Sequence, residues 1–207
     1  MPEPLQIEVW SDYVCPFCYL ELPVLQQLAR ERPIAITWRA FELRPEPVPT
    51  LDPDGEYLHR VWNASVYPMA RERGMNLKLP PVQPRSRKAF EAAAFAHERG
   101  AFDAVHEALF RAFFEKGRDL ADVEVLAGVA AEAGLEADEL REALASGRYT
   151  PQVLEDQRHA QRLGVTGVPA MLFHGADERK VLINGAQSYA ALKRQVDEML
   201  HAGAGAA

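Results

Sequence analysis

Cys15 and Cys18 are the only cysteines in a chain of 207 residues. They stand three apart in the run Trp10-Ser-Asp-Tyr-Val-Cys15-Pro16-Phe17-Cys18-Tyr-Leu. The stretch before them, Leu5 to Trp10, alternates apolar and polar residues and reads as a strand. The stretch after them, Tyr19 to Arg30, reads as a helix with Leu22, Leu25, Leu28 and Ala29 on one face, curved over a sheet at Pro23. The Cys-x-x-Cys pair therefore opens a helix at the end of a strand. The first amides of a helix lack intrahelical acceptors and carry the positive end of the peptide dipoles, so a thiolate is favoured at Cys15. Pro16 suits the first helical position, where its missing N–H costs nothing. Cys18 lies one turn on and on the same face, with Cα atoms about 5–6 Å apart, inside the disulfide window. The chemistry this spacing offers is dithiol–disulfide exchange. Cys15 is the attacking thiolate at the exposed helix end, and Cys18 is the more buried resolving thiol.

Two plainer roles compete. A structural bridge across two intervening residues constrains little chain entropy and stabilises little. A zinc site needs two further ligands, and the chain has neither a second cysteine pair nor an H-x3-5-H spacing, so no metal is expected. Around the pair, Asp12 is a supporting residue that could act as a local acid–base group, cap the helix entry or face solvent. Tyr13, Phe17 and Tyr19 would surround the cysteines with apolar surface.

Composition narrows the class. The net charge of −7 argues against a nucleic-acid footprint or an anionic-membrane surface. No apolar run approaches the ~20 residues of a membrane span. Met1-Pro-Glu-Pro-Leu-Gln is neither basic nor followed by an apolar signal core, so a cytoplasmic location is expected, where disulfides are mostly transient and catalytic.

Ile34 to Phe41 alternates as a second strand, which makes a right-handed βαβ unit with the first. A proline-rich stretch from Leu43 to Gly55 follows. Helical periodicity then runs to about Leu163: Leu58, Val61, Trp62, Ser65 and Met69, with a kink or new start at Pro68; Ala89, Phe90, Ala93 and His97; Phe102, Val105, His106, Leu109, Phe110 and Phe113; Leu126, Val129, Ala130 and Ala133, capped by Asp122; and Leu140, Ala143 and Leu144. Gly134 and Gly147 read as helix stops. His97 and His106 read as hydrogen-bonded core histidines, His174 as a turn residue, and His59, His159 and His201 as lacking partner spacing. After a polar helix from Pro151 to Leu163, Ala170–Phe173 and Lys180–Ile183 form a hairpin, and Ser188 caps a last helix from Tyr189 to Met199. The division is 1–43, the N-terminal part of an α/β domain; 44–150, a helical insertion; 151–201, the C-terminal part; and 202–207, a disordered tail.

The Cys-Pro-Phe-Cys motif, the run Ala108 to Arg118 and Gly164-Val-Thr-Gly-Val-Pro169 together resemble the DsbA-like thioredoxin-fold oxidoreductases, in their cytoplasmic FrnE-like branch. The resemblance implies a thioredoxin fold, a central mixed sheet flanked by helices, with an all-helical insertion domain. It implies a cis bond between Val168 and Pro169 beside the Cys15 sulfur. Pro16, Phe17, Val168 and Pro169 would then contact substrate, with the Val168 backbone pairing to an extended peptide. Two features depart from relatives. Arg85-Ser-Arg-Lys-Ala stands where the branch often carries a histidine. Pro-Phe between the cysteines lacks the histidine of the periplasmic oxidants, which implies a less oxidising couple. The expected partners are thiol- or disulfide-containing proteins and glutathione, with no cofactor required. Two alternatives stay open: a glutathione-dependent isomerase or transferase of the 2-hydroxychromene-2-carboxylate isomerase type, against which Cys18 counts, and a non-enzymatic peptide-binding or chaperone-like module.

Overall fold

The alternation of Leu5, Ile7 and Val9 sends their side chains to one face of β1 (Leu5–Ser11), where all three are buried. In the computed structural model, which describes residues 4–175 and 178–204, β1 is an inner strand. β2 (Ile34–Ala40) pairs with it in parallel, Leu5 opposite Ile34 through Ser11 opposite Ala40. β3 (Ala170–His174) pairs antiparallel on its other side, and β4 (Lys180–Asn184) pairs antiparallel with β3. The sheet order is therefore β2-β1-β3-β4. The parallel step needs a crossover, and α1 (Pro16–Glu31) supplies it. Leu25 and Leu28 of α1, with Leu192, Val196 and Met199 of the last helix, cover the Ile7–Val9 face. Full burial of each such aliphatic side chain is worth about 1.5–3 kcal/mol. Trp10 and Leu172 point to the opposite face, against Ala160 and Val165.

Seven helices lie between β2 and β3 among the described residues. They are α2 (Glu56–Val61), α3 (Tyr67–Glu72), α4 (Arg87–Glu98), α5 (Phe102–Phe114), α6 (Val123–Glu132), α7 (Ala137–Ser146) and α8 (Thr150–Arg162). Phe95, Leu109, Phe110, Phe113 and Phe114 pack at their centre with Tyr13, Cys15, Cys18 and Tyr19, so the helical segment and the cysteine helix share one core. Asp122 caps α6 by accepting the Glu124 amide at 2.9 Å, and Gly147 ends α7 in the left-handed region at φ 63. Arg73, just past α3, ties three segments together: it donates to the Leu20 carbonyl, the Glu21 carboxylate and the Gln187 carbonyl. α9 (Tyr189–Ala204) closes the fold, with Ser188 Oγ accepting the Ala191 amide.

Four expectations change. Between α2 and α3 the chain widens into a π-helical turn, Trp62–Val66, and the Tyr67 amide bonds back to the Trp62 carbonyl. Pro68 has no N–H to continue an ordinary ladder there, and the extra residue rotates the buried face to Leu58, Trp62, Val66 and Ala70. Ser65 is left exposed. Ala29 is also exposed, because the α1 stripe ends at Leu28 where the helix passes the sheet. His97 is exposed, immediately after Ala96, the last core alanine of α4. The last helix runs through Ala204 rather than stopping at Met199, so residues 202–204 continue it instead of starting a disordered tail. Residues 205–207 of the expected tail, and Ala176 and Asp177 of the hairpin turn, lie outside the described residues.

Candidate active site

Cys15 is the N-cap of α1, extended at φ −95 and ψ 113, and Pro16 begins the helix. The loop into it is tight. The Cys15 amide donates to the Asp12 carbonyl at 3.0 Å, and the Cys18 and Tyr19 amides return to the Cys15 carbonyl at 3.1 and 3.4 Å. Both thiols are free. The Cys15 thiol donates to the Val168 carbonyl at 3.5 Å, and the Cys18 sulfur accepts the Asp12 amide at 3.5 Å. Val168–Pro169 is a cis peptide bond, as is Glu46–Pro47, which the local sequence did not signal. The two ends of the chain, residues 15 and 168, are thus brought together at the start of α1.

Cys18 is buried at 1% exposure and Cys15 at 4%. The expectation of an exposed Cys15 is corrected: Cys15 belongs to the helical core, and half-buried Phe17 and Val168 pack against that same core. The two sulfurs still differ in surroundings. Burial pushes the Cys18 thiol well up, and its contact with Cys15 adds to this, while the Asp12 amide and the nearby Ser11 hydroxyl pull the other way.

Asp12 neither faces solvent nor caps α1. It is fully buried, and its two carboxylate oxygens accept the Val14 amide at 3.3 Å and the Leu43 amide at 2.7 Å. It therefore pins the cysteine loop to the chain leaving β2. Burial raises its pKa to about 6, more than the hydrogen bonds from Leu43, Ser86 and Val14 lower it. The Tyr13 hydroxyl pairs with His106 Nδ1 at 2.7 Å, and its ring packs against Phe90 and Phe110. His106 is thus the hydrogen-bonded core histidine its stripe predicts. Tyr19 stacks on Phe110 and donates to Glu115 at 2.6 Å. The apolar ring expected around the cysteines is largely internal packing, with Phe17 its half-exposed member.

Three further histidines need correction, the first being His201, whose Nδ1 meets the Asp197 carbonyl one turn back in α9. His174 is a strand residue, not a turn residue, and its Nε2 meets Glu8 at 2.9 Å. His159 also has a partner, Glu8 at 3.3 Å. Arg39 completes this cluster with Glu8 at 2.8 Å and Asp156 at 3.1 Å. Glu8 and His174 sit diagonally on neighbouring strands, given Gln6 opposite His174. That pairing depends on strand register, which local sequence does not reveal. The sequence reading also passed over Ser11, whose buried hydroxyl lies beside Cys18; its only signal was its place at the end of β1.

The comparisons agree with this geometry. The chain is 31% identical over 172 residues to the uncharacterised protein YwbO of Bacillus subtilis, covering 81% of this chain and 86% of that one. Among solved structures, a probable DsbA oxidoreductase from Streptomyces coelicolor superposes with a TM-score of 0.80 at 24% identity, covering 95% of this chain and 90% of the other. The cytosolic disulfide reductase DsbM from Pseudomonas aeruginosa, solved with GSH, superposes with a TM-score of 0.68 at 20% identity, covering 94% and 95%. These likenesses establish the thioredoxin fold with its helical insertion. A family model described as the DSBA-like thioredoxin domain matches residues 6–197, nearly the whole chain, and the protein belongs to that family.

Proposed function

We propose that the protein is a thiol–disulfide oxidoreductase working through the Cys15–Cys18 pair. One observation carries the reading: two free thiols one helical turn apart at a helix start, with Cys15 turned to the Val168 carbonyl and Cys18 behind it. The Cys15 thiolate attacks one sulfur of a substrate disulfide; that S–S bond breaks and the other substrate sulfur leaves as a thiolate. Cys18 then gives up its proton and attacks Cys15 Sγ, breaking the mixed disulfide and releasing the second substrate thiolate. The substrate gains two electrons and the protein is left with a Cys15–Cys18 disulfide. In reverse, the oxidised pair accepts a substrate thiolate and hands on its disulfide. The sulfurs alone carry the exchange, so no metal or organic cofactor is needed.

Burial keeps Cys18 a thiol until the mixed disulfide forms, which suits a resolving group. Asp12 is a positioning residue whose amide and carboxyl hold the loop, and its carboxyl can take up a proton near neutral pH. Phe17, Pro16 and the Val168–Pro169 edge form the substrate contact, with the Val168 backbone pairing to an extended chain. Glutathione is a fitting small thiol partner, and the structure of DsbM with GSH supports it. A cytoplasmic site of action accords with a cytosolic relative of the same fold. No helix among the described residues is long and apolar enough to cross a membrane.

The test is trapping. Cys18→Ser should accumulate a mixed disulfide at Cys15 with a disulfide substrate, seen by mass spectrometry under non-reducing conditions, and should lose turnover. Cys15→Ser should form none. Full turnover of a glutathione conjugate by Cys18→Ser, with no disulfide exchange in the wild type, would overturn the reading.

A further inference from the structure

β2 is an edge strand, so the space beside it lies across β1 from β3 and Pro169. His106 Nε2 is buried without a hydrogen-bond partner, and buried Ser11 Oγ has no nitrogen or oxygen partner among the described residues, only the Cys18 sulfur beside it. Folded proteins rarely leave such groups unmatched. Both residues line one cavity of about 190 Å³. Its walls include the rings of Tyr13, Trp38, Phe90 and Phe102. A neighbouring cavity of about 740 Å³ shares Trp38, Phe102 and His106 and reaches exposed Ala29 and Arg30 on α1. The larger cavity has the volume of a small-molecule site, and the smaller one adds an aromatic recess at its side.

The chemistry of the walls narrows the occupant. His106 is buried and held neutral, its pKa lowered to about 3, and the Tyr13 phenol stays protonated. If the phenol donates to Nδ1, only the Nε2 hydrogen is left unmatched. The reverse tautomer would leave the phenol hydrogen unmatched as well, so Nε2 is the donor. The occupant therefore presents an acceptor to His106, and Ser11 can either donate to it or accept from it. Arg39, which lines the smaller cavity, is already held by Glu8 and Asp156, and exposed Arg30 on the larger cavity is outnumbered by Asp103 and Glu107 on the same lining. The Asp156 carboxylate lines the smaller cavity and disfavours an anion. We propose that these adjoining cavities bind a small, uncharged, planar aromatic molecule with an oxygen substituent, its ring against Trp38, Phe90 and Phe102 and its oxygen at His106 and Ser11. The site touches neither Cys15 nor Val168 and borders Cys18 only through Ser11, so binding there does not require disulfide exchange.

The probes are 2-naphthol and naphthalene, which differ by one hydroxyl. They are titrated into the full-length dithiol protein and followed by NMR at the Trp38 and His106 side chains. A site built around a hydrogen bond rejects the analogue that lacks it. 2-Naphthol should bind saturably, about 10-fold or more tighter than naphthalene. His106→Phe should bring the two to near parity, and Ala93→Leu, which fills a wall position, should abolish both. If His106→Phe fails to fold, the wild-type ratio and the location of the shifted signals decide the matter. Equal binding of the two probes, no saturable binding up to about 1 mM, or a crystal soaked in 2-naphthol that shows only ordered water between Ser11 and His106 would each overturn the proposal.

Discussion

Asp12 offers the sharpest test of how the cysteine loop is held. Its carboxyl is fully buried and its pKa rises from 3.8 to about 6 on folding. With a folded value above the unfolded one, the folded state binds the extra proton between the two values. The stability this contributes is therefore fully present below pH 3.8 and is lost as pH rises through about 6. The shift is about two units, and at about 1.4 kcal/mol per unit the swing is about 3 kcal/mol. Asp12→Asn removes the titration. It also deprives the Val14 or the Leu43 amide of an acceptor, a cost of about 1–3 kcal/mol that does not change with pH. The difference between wild type and variant, measured by urea unfolding of the reduced protein at pH 4 and pH 7, cancels that constant cost along with every other titrating group. Wild type should gain on the variant by about 2–3 kcal/mol in going from pH 7 to pH 4. A wild-type minus variant difference that is the same at both values would refute the claim that this loop buries a charge at neutral pH. It would also remove the basis for a protonatable group beside the Cys18 amide contact.

Arg73 should be among the costliest surface-proximal residues to lose. Glu21 is 1% exposed and Arg73→Ala would leave its carboxylate with only the Gln187 amide, besides taking the side-chain donor from the Gln187 carbonyl; a loss of about 3–5 kcal/mol in denaturant unfolding is expected. Gly117 and Gly164 both adopt positive φ, 64 and 73, but a Cβ at Gly117 would lie 3.1 Å from Pro81 Cδ and one at Gly164 would meet nothing within 4 Å. Gly164→Ala should cost about 1 kcal/mol from backbone strain alone and Gly117→Ala clearly more, a ranking that thermal melts of the two variants will check. Asp122→Ala removes the α6 cap and should cost about 1 kcal/mol, with amide hydrogen exchange faster in the first turn of α6 than elsewhere in that helix.

Periodicity reports which way a side chain faces, and the elements it alone defines are those found: β1, α1, β2, the hairpin, and the stripes of α4 to α7, apart from Ala29 and His97 where α1 and α4 run past the core. The cysteine pair was legible for the same reason, because strand end, N-cap, Pro16 and Cys18 lie within one turn of one another and their geometry is local. What periodicity does not report is which residue a buried polar group meets. His106 falls on the buried stripe with Leu109, Phe110 and Phe113, which says only that it is inside. That it meets Tyr13, 93 residues away, follows from how the helical segment closes over the cysteine loop. Asp12 is hidden in the same way: its short-range turn partner, Val14, can be guessed, but the Leu43 amide that helps bury it arrives from the far end of β2. The Glu8 cluster draws on β1, β2, α8 and β3 at once. Polar contacts of this kind stabilise only once the chain has closed, because each group keeps its water until its partner arrives. Selection can therefore set such partners at any sequence distance. Local reading recovers the reactive atoms of this site, while the groups that hold and surround them are set by closure of the fold.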